Sequence, residues 1–308
     1  MSANTKEVKQ RLASIKNTRK ITKAMELVAA AKMRKAVENA QTTRAYHRIA
    51  WGIVDRLLSS QLWFDSDSPV KRFFEQRADV GHETIIVFTS NRGLAGAFNA
   101  NVIKQVASYI KNQGKAGTEI IAIGTKGSTT LSALGATVAL AYPKNDTAAD
   151  DSSVREVVDH AYYAFKNGKT DQVLVAYTDY QSAMSQRAVL KQLYPFKRPP
   201  EVGLIERNSH SAADAAETLE KTSLEYVYEP NKYDLLDYLA RRLAQAELYQ
   251  CLLESNASEH ASRMVAMKNA SDAANDMVDD LLLEYNKTRQ AAITKEIAEI
   301  SAGATAVS

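Results

Sequence analysis

The segment Ser90-Asn91-Arg92-Gly93-Leu94-Ala95-Gly96-Ala97-Phe98-Asn99 is the first place in this chain to look for chemistry. It joins an apolar run to a helical one, and at such a turn the amides of a nucleotide-binding sheet hold phosphate. Its spacing does not complete that role. Gly93 and Gly96 give GxxG only, and no acidic residue closes the second apolar run to hold a ribose. A tight strand-to-helix turn, where glycine relieves the backbone, is the better reading. Gly168-Lys169-Thr170 has the last residues of a phosphate loop, but Tyr163 stands where its first glycine is required. His47, His82, His160, His210 and His260 are dispersed, with no HExxH and no Cys/His cluster, so metal-ligand spacing is missing. Cys251 has no histidine beside it and reads as a small buried hydrophobe. As the sole cysteine it excludes an internal disulfide and fits a reducing compartment. Asp150 with Asp151, and Asp276 with Asp279 and Asp280, could be drafted as paired carboxylates, but on a polar surface they read as solvated side chains. No catalytic, cofactor-binding or metal-binding residue is expected.

The elements that must position any site are dominated by the two ends. From Asn231 to Ala302 there is neither glycine nor proline, and apolar residues recur at alternating spacings of three and four. Leu236, Leu239, Leu243, Ala246, Gln250, Leu253, Ala257, His260, Met264, Met267, Ser271, Ala274, Val278, Leu281, Tyr285, Thr288 and Ala292 form the seam of a coiled coil. At 1.5 Å per residue, about 70 helical residues reach about 105 Å, beyond the width of a small domain. Met1 to Trp51 also lacks glycine and proline. Val8, Leu12, Ile15, Ile21, Met25, Val28, Tyr46, Ile49, Ile53 and Leu57 fall there at helical spacing, with Asn4 or Thr5 and Glu7 available as a cap. Ala24, Ala29, Ala30, Ala31 and Ala36 permit a close partner, so the two terminal helices are expected to pair antiparallel as a slim rod. Gln250, His260 and Ser271 are polar seam positions. Register control suits Ser271, whereas His260 is open between that role and facing a lining other than the partner helix.

Ten of the twelve glycines lie between Gly81 and Gly203, where the composition changes. Thr84–Thr89, Glu119–Ile123 and Thr137–Ala141 read as buried strands, with helices over Phe98–Lys111 and Ser152–Lys166, which argues for a parallel α/β sheet. Asp171–Gln181 and Met184–Tyr194 read as a hairpin turning near Ser182 and Ala183, and Pro195–Tyr226 as a loop. The fold class is therefore α/β: a long antiparallel coiled coil of the terminal helices plus a central Rossmann-like α/β domain. The expected divisions are 1–60 for the first helix, 80–198 for the domain, 199–230 for the connecting loop and 231–303 for the last helix.

Composition excludes little but points one way. The chain is 45% hydrophobic and 24% charged with a formal charge of +3, ordinary for a soluble protein and too weak to imply nucleic acid. No stretch approaches twenty uninterrupted apolar residues, and the amino terminus lacks the apolar core of a signal peptide. Yet Lys6 to Lys35 holds ten Lys/Arg against two acids, so the first helix carries a positive field that suits an acidic partner. Aromatic side chains for base stacking are sparse beside those charges, which argues against nucleic acid.

Three blocks carry a resemblance. Ser258 to Ala270 (SEHASRMVAMKNA), Asn286 to Ile300 (NKTRQAAITKEIAEI) and Ile21 to Arg34 (ITKAMELVAAAKMR) resemble the signature blocks of the gamma subunit of the rotary ATP synthase, with Tyr228-Glu229-Pro230 and the SNRGLAGAFN turn in the expected order. The resemblance implies a central-stalk rotor shaft with no cofactor and no nucleotide of its own. Its terminal helices would sit inside a hexameric head of alternating alpha and beta subunits, one copy per three of each. Its α/β domain would bind the epsilon subunit and dock on the membrane c-ring, peripheral to the cell membrane on the cytoplasmic side. Carried over residue by residue, Lys23, Met25, Arg263, Arg289, Gln290, Thr294, Glu296 and Glu299 would contact the catalytic subunits. Tyr228 and Glu229 would form the foot facing the ring. Asn91 and Ala95 depart from the Asp and Cys common in the family, and the plastid form's regulatory cysteine pair is missing.

Overall fold

A computed structural model describes residues 3–59, 69–76, 80–113, 117–146, 151–197 and 232–307. Helix α1 spans Ala3–Ser59 and a short 3-10 turn Pro69–Phe73. The central unit then runs β1 Glu83–Phe88, α2 Phe98–Gln113, β2 Thr118–Ile123, α3 Thr125–Ala133 and β3 Val138–Tyr142. It continues with a 3-10 turn Asp151–Val154, α4 Arg155–Lys166, β4 Gln172–Tyr180 and β5 Gln186–Tyr194. The last helix, α5, spans Lys232–Val307.

The strands form one sheet in the order β3-β2-β1-β4-β5, parallel except for β5. Alternation along the strands sorts their side chains to two faces, as a pleat of period two requires. Ile85, Val87, Ile120, Leu174 and Ala176 pack against Val102 and Val106 of α2 and Leu131 of α3. Ile86, Phe88, Ile121, Val173 and Val175 face α4 and α5 through Val158, Phe165, Leu248 and Leu252. Burial on both faces explains why these strands read as continuous apolar runs.

Helix α5 is therefore held between the sheet and α1. Antiparallel pairing with α1 is fixed by two hydrogen bonds far apart on the rod: Arg19 donates to Asn275 Oδ1 at 2.9 Å, and Gln250 to the Ala40 carbonyl at 3.4 Å. The expected seam of α5 faces inward along its length, from fully buried Leu236 to half-buried Ala292. Past Ala292, the described side chains through Ser301 are exposed.

The seam of α1 differs from expectation. Ile21, Val28 and Ile49 are 61%, 57% and 65% exposed. The inward ladder is instead Val8, Leu12, Ile15, Arg19, Thr22, Glu26, Ala29, Met33, Ala36, Ala40 and Thr43. A strict alternation of four and three residues started at Val8 and Leu12 bypasses Ile21 and Val28, and a straight helix cannot change stripe without a break. Met25 sits at the margin of the ladder, half-buried. The side chains of Asn4, Thr5, Tyr46, His47, Ile53 and Leu57 lie outside the described residues, as do residues 198–231.

Two elements carry little sequence signal of their own. Helix α3, TKGSTTLSA, has one buried large residue, Leu131, so its periodicity is faint. A tertiary contact caps its first turn: Gly127 N donates to Thr89 Oγ1 at 2.9 Å, and a Cβ at Gly127 would meet that oxygen at 2.5 Å. The 3-10 turn at Pro69–Phe73 is anchored by fully buried Phe73, ringed by Tyr162, Phe165 and Tyr194 at centroid distances of 5.0–5.1 Å.

Candidate functional site

The turn after β1 is built as a rigid knot. Ser90 N donates to Asn99 Oδ1 at 2.9 Å, Asn99 Nδ2 donates to Ser90 Oγ at 2.7 Å, and Ser90 Oγ donates to the Arg92 carbonyl at 2.6 Å. Leu94 at φ 63° and Gly96 at φ 54° make the sharp reversal. Ala95 is 3% exposed and serves as core.

Helix α5 lies against the approach to the turn that a phosphate would use. A Cβ at Gly96 would sit 3.8 Å from both Ala266 Cβ and the Ser262 carbonyl. Arg263 Nη2 points back at the Gly93 carbonyl, 3.4 Å away. The Gly168-Lys169-Thr170 segment also has the wrong polarity for an anion. It ends α4, with Gly168 at φ 77° and Lys169 N donating to the Ala164 carbonyl at 2.9 Å, so carbonyls rather than free amides are gathered there.

What the turn does hold is the loop after β3. Asn91 brackets Lys144 with two hydrogen bonds, Nδ2 to the Lys144 carbonyl at 2.7 Å and Oδ1 from Lys144 N at 2.9 Å. The Lys144 side chain is 0% exposed and ion-pairs with Glu259 of α5, 2% exposed. Its Nζ also lies 5.1 Å from the centroid of Phe98. Arg263, one turn on, reaches the other Glu259 oxygen at 2.8 Å. Asn256 Nδ2 donates to the Asn145 carbonyl at 2.9 Å, Ser258 Oγ to the Thr178 carbonyl at 3.1 Å, and Asp146 faces Lys32 of α1 at 3.8 Å. The joint thus ties the sheet, α5 and α1 together through polar contacts.

Electrostatics follow from this burial. Desolvation would raise the Glu259 carboxyl, but Lys144 and Arg263 overcome it and hold the group below its ordinary range. His260 beside it is 2% exposed, and desolvation, helped by Lys144 and Arg263, pushes it from 6.5 down to about 4 against the opposing Glu259 and Asp146. It therefore faces the joint as well as the seam. A histidine with a depressed folded pKa contributes its full stability above the unfolded pKa and loses it as pH falls. Between about pH 6.5 and 4, His260 should lower the unfolding free energy by up to ~1.4 kcal/mol per unit. Urea titrations across that window should show the slope, and His260→Gln should flatten it.

The remaining residues expected to make contacts are not brought together. Lys23 is exposed and pairs with Glu26 at 3.0 Å. Arg289, Gln290, Thr294, Glu296 and Glu299 are exposed toward the far end of α5, with Lys295 and Glu299 at 3.7 Å. Arg263 differs from that set: its side chain is 13% exposed and turned into the joint. Tyr228 and Glu229 lie outside the described residues. Asp276, Asp279 and Asp280 are exposed, and burial raises the Cys251 thiol well above its ordinary value. Among the described residues, no group of three or more His, Cys, Asp or Glu is placed to hold a metal ion, and no helix is long and apolar enough to cross a membrane. Lys144 escapes sequence reasoning because a lone lysine after Pro143 carries no periodic or motif signal.

The comparisons agree with this architecture. The ATP synthase family model matches residues 4–307. The chain is 38% identical over 307 residues to the ATP synthase gamma chain of Cupriavidus pinatubonensis, covering 99% of this chain and 100% of that one. It is 34% identical over 308 residues to that of Histophilus somni, with 99% and 100% coverage. In fold it is similar to a chain of the Euglena gracilis mitochondrial ATP synthase (OSCP/F1/c-ring, rotational state 3), at TM-score 0.65, 17% identity and coverage of 99% and 94%. It also resembles a chain of the Tetrahymena thermophila central stalk/c-ring structure, at TM-score 0.59, 23% identity and coverage of 82% and 99%.

Proposed function

The chain belongs to the ATP synthase gamma-chain family, and from that premise we propose that it is a central-stalk rotor shaft, without a catalytic site of its own, that couples rotation of a membrane c-ring to shape changes in the alpha and beta subunits of a hexameric head. The observation that carries this reading is the free end of the rod. There α5 outruns α1, and Ile293, Ile297 and Ile300, spaced as one helix stripe, are 47%, 61% and 73% exposed. An exposed apolar stripe on a lone helix marks an interaction surface, which a sleeve of partner subunits would cover. Ile21, Leu27 and Val28, exposed on α1 among basic residues, suit the same surroundings with acidic loops.

Lys23, Met25, Arg289, Gln290, Thr294, Glu296 and Glu299 are the proposed contacts with the head, together with Arg263 where the joint leaves it reachable. Tyr228 and Glu229 are the proposed foot on the ring, with the epsilon subunit on the α/β domain. The assembly would lie on the cytoplasmic face of the cell membrane.

The test is ATP-driven proton pumping against ATP hydrolysis in membranes carrying variants. Arg289→Ala with Gln290→Ala removes donors worth about 0.5–3 kcal/mol each and should lower turnover and coupled synthesis with assembly retained. Met25→Lys adds charge beside the acidic loops and should lower the pumping-to-hydrolysis ratio. An unchanged ratio for Met25→Lys together with unchanged turnover for the double variant would remove these faces from torque transmission. Purified complexes should contain one copy per three beta subunits.

A further inference from the structure

Torque that enters at the α/β domain and leaves at the tip of the rod must cross the joint between sheet and α5. Every residue of α5 from Leu243 to Ala261 is buried, with Ala244, Ala257 and Ala261 at 0% exposure and polar side chains such as Gln245, Glu247, Glu254 and Glu259 buried among them. Apolar contact is non-directional, so it resists separation better than it resists twist. Directional contacts cross the joint at several places, Lys166 with Asp237, Lys191 with Glu247, Arg241 with Asp159 and Arg242 with Asp151 among them, and the most deeply buried is Lys144 with Glu259, whose other oxygen is held by Arg263 of the same helix.

We propose that Lys144 and Glu259 act as a key between domain and shaft, fixing the rotational register of α5 against the loop after β3 so that torsion reaches the rod instead of being lost as slip. The proposal rests on the rotor reading and adds positioning residues to it. Asn91 makes the loop that carries Lys144 rigid through its two hydrogen bonds. Arg263 bridges Glu259 to the Gly93 carbonyl, so two separate loops of the sheet grip one carboxylate. Asn256 and Asn145 add a parallel tie one turn away, and Lys32 with Asp146 fastens α1 to the same loop. A fully buried pair of this kind is a poor source of stability compared with apolar residues of equal volume, whereas it does specify register.

That contrast supplies the experiment. Lys144→Met with Glu259→Met replaces the pair by apolar volume, so the chain should fold and assemble while the key is gone. Spin labels at Lys126→Cys on the domain and Asp276→Cys on the shaft, in a Cys251→Ala background, report register in the full chain. The parent should give one narrow distance distribution, and the double variant one about twofold broader. In assembled complexes of the double variant, ATP-driven pumping per ATP hydrolysed should fall by about half or more. An unchanged distance width in the double variant overturns the proposal, as does an unchanged pumping ratio. If the double variant does not enter complexes, the width alone decides. Failure of the parent chain itself to assemble with a head would count against the rotor reading, while the label distances would still test the key.

Discussion

Gly124→Ala is expected to destabilise the α/β domain by more than ~3 kcal/mol, since it adds a steric clash to backbone strain of about 1–3 kcal/mol. Gly124 lies between β2 and α3 at φ 108°, a region that side-chain-bearing residues rarely adopt. Its Cβ would fall 2.2 Å from the Thr89 carbonyl oxygen and 2.6 Å from Thr89 Oγ1. Thr89 cannot yield. It is 0% exposed, its N–H donates to the Ile123 carbonyl at 2.7 Å, and its Oγ1 receives Gly127 N. Gly135→Ala is the control, because Gly135 has φ 83° but nothing within 4 Å of a built Cβ, so only backbone strain is added. Thermal unfolding of the full chain should fall by about 10 °C for Gly124→Ala and by a few degrees at most for Gly135→Ala. Equal midpoints for the two variants would refute the packing argument.

Glu259→Gln should be the most damaging isosteric change in the joint, at about 3–5 kcal/mol. It leaves the Lys144 ammonium, 0% exposed, without its countercharge, with only the uncharged amide oxygen of the new side chain and the face of Phe98 beside it. Arg263 loses its carboxylate too but is better placed to reach water. Because the folded-state carboxyl is held below 4.5, its stabilisation is fully present above that value and is lost as pH falls through the folded pKa. The variant should therefore differ most from the parent near neutrality and converge with it in acid. Adding Lys144→Met should recover most of the loss by removing the orphan charge. Urea midpoints of the single and double variants, measured at neutral and acid pH, check both statements.

How much of this can be read from the sequence depends on whether a signal is local. The α5 seam is legible residue by residue because a heptad pattern is written in the chain, and the strands because burial on both faces leaves unbroken apolar runs. The apolar spacing of α1 misleads at Ile21, Val28 and Ile49, where exposed apolar residues mimic a seam. From Arg19 to Thr43 most contact positions are polar or small, Arg19, Thr22, Glu26, Ala29, Ala36 and Ala40 among them, so hydrophobicity alone does not mark them. Helix α3 escapes detection since its start is set by Thr89, distant in sequence, rather than by its own periodicity.

The candidate site divides the same way. The SEHASRM and SNRGLAGAFN blocks stand out as sequence, and they identify the family. That they grip each other through Lys144 is not visible there, because Asn91, Lys144 and Glu259 lie on three separate segments that the sheet order and the path of α5 bring together. The sequence by itself determined the two long helices, the alternating strands and helices between them, and the family. Only the tertiary structure decided which face of α1 is inside, that α5 covers the would-be phosphate turn, and where a charge is buried. Periodicity reports how a segment divides its own faces, whereas burial and pairing depend on what other segments are carried against it.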